Sequence, residues 1–165
     1  MRVALDVFAP ALGRLVGQDL AALARHGELL KAMLYLGTHG PAGLSYELCR
    51  LARWLEAGAV PSPVEQLAGM VDLPLPEMPE LCHGSLSEAV FESQLDALRR
   101  LAGVSAAAGI DAVAIKGVAV LPDATLETVT RRALQAGVPL VLSWDLMAIP
   151  PARLERLGRL VGRAT

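Results

Sequence analysis

Four acidic residues stand where backbone elements are expected to begin or end. They are Asp6 after the apolar run Val3-Ala4-Leu5, Glu47 on an expected helix, Asp123 after Val118–Pro122, and Asp145 after Val138–Trp144. In open α/β sheets, ligands bind beyond the carboxyl ends of the strands. Asp6 and Asp145 are expected at such ends, and Asp123 where a strand gives way to a helix. Carboxylates gathered there repel one another unless a proton or a cation relieves them. Such a set suits a hard divalent metal, Mg²⁺ or Mn²⁺, that prefers carboxylate and water oxygens. Taken singly, Asp123 is equally placed to cap a helix N-terminus. Asp6 and Asp145 could each make a turn, and Glu47 could sit on an ordinary helix surface.

Other chemistry-bearing residues give weaker signals. Gly37-Thr38-His39-Gly40-Pro41-Ala42-Gly43 must be a loop, and glycine-rich turns between strand and helix can cradle phosphate. Its G-x-x-G-x-x-G spacing matches neither dinucleotide nor Walker loops. Cys82 and His83 are adjacent, so on an extended segment they point to opposite faces and cannot act together. Ser143 lies in no G-x-S-x-G elbow. Cys49 and Cys82 show no C-x-x-C spacing and read as reduced, buried thiols. The pairs Arg99-Arg100 and Arg131-Arg132, with a C-terminal arginine stripe, could hold a nucleic-acid backbone or form solvated helix faces. Trp144 could stack on a base.

The elements that must position these groups follow from patterning. Arg2–Asp6 is expected as a short buried strand, and residues from about Ala11 to Lys31 as a helix. Ala32–Leu36 is either a second strand or the end of that helix. Ser45 is expected to cap a helix through Ala57, stopped by Gly58. Capping boxes at Ser62–Glu65 and Ser85–Glu88 predict two more helices, the second running to about Ala107, with the proline-rich Leu73–Pro79 extended between them. Ile110–Val120 is a strand candidate, Ala124–Ala136 a helix ending at Gly137, and Val138–Ser143 a strand. Those three form a β-α-β unit with parallel strands. Leu154, Leu157 and Leu160 stripe a last amphipathic helix that could pack on a partner or a second copy.

The 165 residues suffice for one domain with a full core, and they are 53% apolar and 19% charged. A formal charge of −2 offers no general attraction to nucleic acid. No run reaches the ~18 apolar residues of a membrane span. Asp6 interrupts the only apolar N-terminal stretch. A soluble, cytoplasmic protein is expected.

The element order resembles a PIN domain, the metal-dependent ribonuclease fold found in many prokaryotic toxins and in RNA-processing proteins. Met1-Arg2-Val3-Ala4-Leu5-Asp6 resembles its first strand and first acid, and Leu44-Ser45-Tyr46-Glu47-Leu48 its helix-borne Glu. Leu121-Pro122-Asp123-Ala124 resembles its third-acid helix, the stretch Ala133–Val141 its closing strand, and Ser143-Trp144-Asp145 its Thr/Ser-x-Asp ending. Where the family commonly reads Asp-Thr-Asn, this chain has Asp6-Val7-Phe8. The resemblance implies a three-layer α/β/α fold over residues 1–165 with a mostly parallel central sheet. It further implies hydrolysis of single-stranded RNA, with Asp6, Asp123 and Asp145 holding Mg²⁺ or Mn²⁺ and Glu47 as ligand or water-positioning base. Partners would be single-stranded RNA, an antitoxin or other protein, or a second copy in a homodimer. The alternative is a catalytically silent PIN-like or Rossmann-like module that binds protein or nucleic acid.

Overall fold

A computed structural model describes residues 4–102, 106–119, 121–142 and 145–162. Four strands, β1 (Ala4–Phe8), β2 (Leu29–Met33), β3 (Ala106–Ile110) and β4 (Leu140–Leu142), form one parallel sheet in the order β1-β2-β3-β4. Among the described residues, eight α-helices connect and follow these four strands: α1 (Pro10–Leu15), α2 (Leu20–Ala24), α3 (Leu44–Ala57), α4 (Pro63–Val71), α5 (Met78–His83), α6 (Glu88–Ala102), α7 (Asp123–Gln135) and α8 (Pro151–Val161). This is the expected α/β class with an all-parallel sheet. Helices α1, α2, α6 and α7 pack on the strands, with α8 against α7, while α4 and α5 each pack on α3 as a second group. The arrangement is consistent with a three-layer α/β/α fold.

Period-two alternation decides which strand residues reach the core. Val7, Leu30, Ala32, Ala108 and Ile110 are fully buried beneath helices. Register puts Asp6, Lys31 and Ala107 in one row of the opposite face, with Phe8, Met33, Gly109 and Val141 in the next. The expected long helix from Ala11 to Lys31 is instead two short helices and then β2. The chain turns at Gly17, whose φ of +74° favours glycine, and Asp19 restarts it by accepting from the Ala22 N–H at 2.9 Å.

The strand expected over Ile110–Val120 ends at Ile110, and the following residues form turns with a Thr38–Ala119 bridge. At the Ser62–Glu65 box a helix does form, but Ser62 makes no side-chain cap and has a φ of +46°. Helix α6 starts at Glu88 and ends at Ala102, short of Ala107, because β3 takes the residues from Ala106. The extended stretch expected through Pro79 gives way to α5 at Met78, with proline tolerated in its first turn. His83 therefore follows Cys82 on a helix, not on an extended segment. Arg2, Val3, Val120, Ser143, Trp144 and Arg163, which carried sequence expectations, lie outside the described residues.

The reduced-thiol expectation is corrected. Cys49 of α3 and Cys82 of α5 form a disulfide across a sequence separation of 33 residues. The two cysteines are brought together because α3 and α5 pack directly on each other. A closed loop of that length restricts the unfolded chain, so Cys82→Ser is expected to lower the unfolding free energy by about 3 kcal/mol. Urea titration of both proteins checks this. A loss under about 1 kcal/mol would mean that packing alone holds α5 against α3.

Candidate functional site

Each of the four sequence-selected acids has its own protein partner. Asp6 lies in the middle of β1, not at its end, and its Oδ2 is 2.8 Å from the Lys31 ammonium on the neighbouring strand. Glu47, in the first turn of α3 as expected, accepts the Ala42 N–H at 2.9 Å. Asp123 does not cap α7, since the N-cap is Pro122. Its carboxylate is gripped by two α8 arginines, Arg153 at 2.7 Å and Arg156 at 3.0 Å. Arg153 continues to the carbonyls of Ala112, Val113 and Leu121, so this cluster locks α8 to the loop after β3. Asp145 caps a short 3-10 turn by accepting the Met147 N–H at 2.9 Å. Among the described residues, no three His, Cys, Asp or Glu side chains are grouped to hold a metal ion.

The arginines expected as a nucleic-acid track are largely committed as well. Arg131 pairs with Glu127, Arg132 with Glu92, and Arg99 lies 3.9 Å from Asp96.

A different set of residues converges at the carboxyl end of β1 and β2. Lys31, Met33 and Tyr35 recur at every second position and face a cleft of about 270 Å³ opposite the buried Leu30, Ala32 and Leu34. Asp6 joins them from β1, and Thr38, Pro41 and Val118 supply the remaining wall. The Lys31 side chain is only 13% exposed while that of Asp6 is 61% exposed. The cleft therefore offers a sheltered ammonium beside an accessible carboxylate. Burial, and then the carboxylates of Asp6 and Asp111, push the Tyr35 phenol up to about 12, so it stays protonated and can donate.

The Gly37–Gly43 loop closes this cleft, and it is held from beneath by an acid that the sequence reading did not single out. Asp111 directly follows β3 and is 1% exposed. Its Oδ2 accepts the Gly37 N–H at 2.8 Å and the Thr38 hydroxyl at 3.2 Å, while Oδ1 has no hydrogen-bond partner among the described residues. Burial raises the Asp111 carboxyl, opposed by these hydrogen bonds. His39, in the same loop, is lowered by burial and then by His83, against a bond with the Gly84 backbone.

The rule that selected Asp6 and Asp145, an acid ending an apolar strand, would have found Asp111. The strand expected through Val120 placed it mid-strand instead. Lys31 was missed because it was assigned to a helix end.

Fold and site together define a parallel α/β protein with a cleft at the carboxyl end of its first two strands. No known family, curated protein or solved structure matches this chain.

Proposed function

We propose that this chain is a binding module for a small, net-neutral polar molecule, with zwitterions of amino-acid size the best fit. The observation that carries this reading is the Asp6–Lys31 pair at the wall of an otherwise apolar cleft, beside a protonated Tyr35. Opposite charges cancel there, so a ligand with a net charge gains no overall attraction. The Lys31 ammonium and the Tyr35 hydroxyl, both donors, suit a carboxylate or hydroxyl, and the exposed oxygens of Asp6 suit an ammonium. Met33, Pro41 and Val118 suit an apolar flank. A metal-dependent ribonuclease reading would need Asp6, Asp123 and Asp145 to converge, and their separate partners give it no support.

The Cys49–Cys82 disulfide favours an oxidising compartment over the cytoplasm. No described helix is long and apolar enough to cross a membrane.

Ligand-observed NMR with a panel of amino acids, betaines, simple amines and simple carboxylates tests the reading. Zwitterions should bind best, and Lys31→Met or Tyr35→Phe should weaken them about tenfold, equivalent to about 1.4 kcal/mol. Glu65→Gln, outside the cleft, should change nothing. Binding by no member of the panel, or hits indifferent to both cleft substitutions, would sink the proposal.

A further inference from the structure

A second, narrower cleft lies where α1 packs on α6. Ser93, Ala97 and Arg100 recur with helical spacing on α6 and, with Gln94, form one side of it. Arg14 of α1 and Asp72, just past the end of α4, line it as well. It is separate from the cleft bordered by Asp6 and Lys31, since no residue lines both.

Gln94 is the informative residue. It is 3% exposed, and its Oε1 accepts the Ala11 N–H at 2.7 Å, satisfying a donor in the first turn of α1. That bond fixes which way the amide points, and the NH2 is left without a partner among the described residues. A donor so nearly buried loses free energy unless water or a ligand in the cleft accepts from it. Arg14 and Arg100 are uncommitted too. Neither makes a hydrogen bond or ion pair among the described residues, whereas Arg131, Arg132, Arg153 and Arg156 each hold a carboxylate. Donors therefore converge from two helices, with the Ser93 hydroxyl beside them, and Asp72 is the single acid among the described residues of the wall.

We propose that this cleft binds hydrogen phosphate, the inorganic phosphate ion. Its volume of about 60 Å³ has room for about four waters, and so for one small oxyanion rather than a larger molecule. Two guanidinium forks suit a tetrahedral ion whose oxygens each accept more than one hydrogen bond. With two arginines against one aspartate, the wall keeps a positive balance. Asp72 then selects among oxyanions. A carboxylate repels an anion that has lost every proton, yet it accepts a hydrogen bond from a P–OH group. Inorganic phosphate keeps one proton at neutral and mildly basic pH. Sulfate has none, and a phosphate monoester has lost its last one well above about pH 6.

Isothermal titration calorimetry of the full chain at about pH 8 and fixed ionic strength, with inorganic phosphate, sulfate and ethyl phosphate as titrants, reads this directly. Phosphate should bind, and the other two at least about tenfold more weakly. Arg14→Gln and Arg100→Gln, both at exposed positions, should each weaken phosphate about tenfold while leaving the circular dichroism spectrum unchanged. Arg131→Gln removes the same charge from an arginine paired with Glu127 outside the cleft, and should change nothing. Asp72→Asn should tighten sulfate and level the three affinities. Asn readily adopts the φ of +55° found there, so the fold should hold. No phosphate binding at millimolar concentration, or binding indifferent to both arginine substitutions, would overturn the proposal. Sulfate bound as tightly as phosphate by the wild type would overturn the role of Asp72, and ethyl phosphate bound as tightly would overturn the free ion as ligand.

Discussion

Gly43→Ala is expected to cost about 4 kcal/mol or to prevent folding. A Cβ on Gly43 would fall within the van der Waals envelope of the Thr38 carbonyl oxygen, and would lie 2.9 Å from the Thr38 carbonyl carbon and 3.0 Å from the Gly40 oxygen. All three atoms are backbone, so no side chain can rotate aside. The loop cannot shift freely either. Gly37 N–H and the Thr38 hydroxyl are fixed on Asp111, the Ser45 hydroxyl donates to the Thr38 carbonyl at 3.4 Å, and Leu44 N–H reaches the Tyr35 carbonyl at 2.9 Å. Displacing the loop would therefore expose or orphan several buried polar groups at once. Gly69 and Gly158 provide the contrast, since both lie inside helices with nothing within 4 Å of an added Cβ. Gly69→Ala and Gly158→Ala should each stabilise by about 0.5–1 kcal/mol. Denaturant midpoints for the three variants measure both signs. A Gly43→Ala protein within about 1 kcal/mol of wild type would show that the loop packs far more loosely than described.

The second large effect centres on Asp111. Asp111→Ala removes the acceptor of the Gly37 N–H and the Thr38 hydroxyl, and it opens a small void. A loss of about 3–4 kcal/mol is expected. Asp111→Asn keeps an amide oxygen for the Gly37 N–H and should change stability far less at acidic pH. The two variants also separate geometry from charge. Because burial raises the Asp111 carboxyl above its ordinary 3.8, the folded protein binds its proton more tightly than the unfolded chain. That contribution is fully present below 3.8 and is lost as pH rises through the raised folded value. His39 acts with the opposite sign. Its lowered value in the fold costs stability as pH falls below 6.5. The difference between wild type and Asp111→Asn isolates the carboxyl. The Asn variant should gain on wild type as pH rises through the mildly acidic range. Parallel stability–pH curves for the two would mean that Asp111 is ionised in the fold at all those pH values, and the account of its burial would fail.

How much of this was legible beforehand differs by element. Helix α3 stops at Gly58, and α7 ends before Gly137, whose φ is +68°. Both ends were readable because a helix terminus is set by a few adjacent residues. Helix α7, the parallel β4 after it and the amphipathic α8 were readable for a similar reason, since period 3.6 and its breaks are local properties, whereas the strand expected before α7 meets β3 only at Ile110. Boundaries moved wherever neighbouring elements competed for the same residues, as between α6 and β3 and between α2 and β2.

The residues that matter for chemistry depended on longer range. Glu47, Asp123 and Asp145 were correctly seen as acids at element starts and turns, whereas Asp6 sits mid-strand, and in either case proximity in pattern is not proximity in space. Arginines 30 and 33 residues away claim Asp123, and a register of parallel strands, invisible in local composition, places Lys31 beside Asp6. The disulfide likewise required α3 and α5 to meet.

By itself, then, the chain's sequence determined the class of fold: apolar strands, capped and glycine-terminated helices, and a parallel α/β order all arise from short-range sterics and hydrophobic periodicity. Only the tertiary structure decided which polar groups meet, because strand register, helix packing and burial are collective. The same collective burial took Asp111 out of water and left Asp6 and Lys31 facing the cleft.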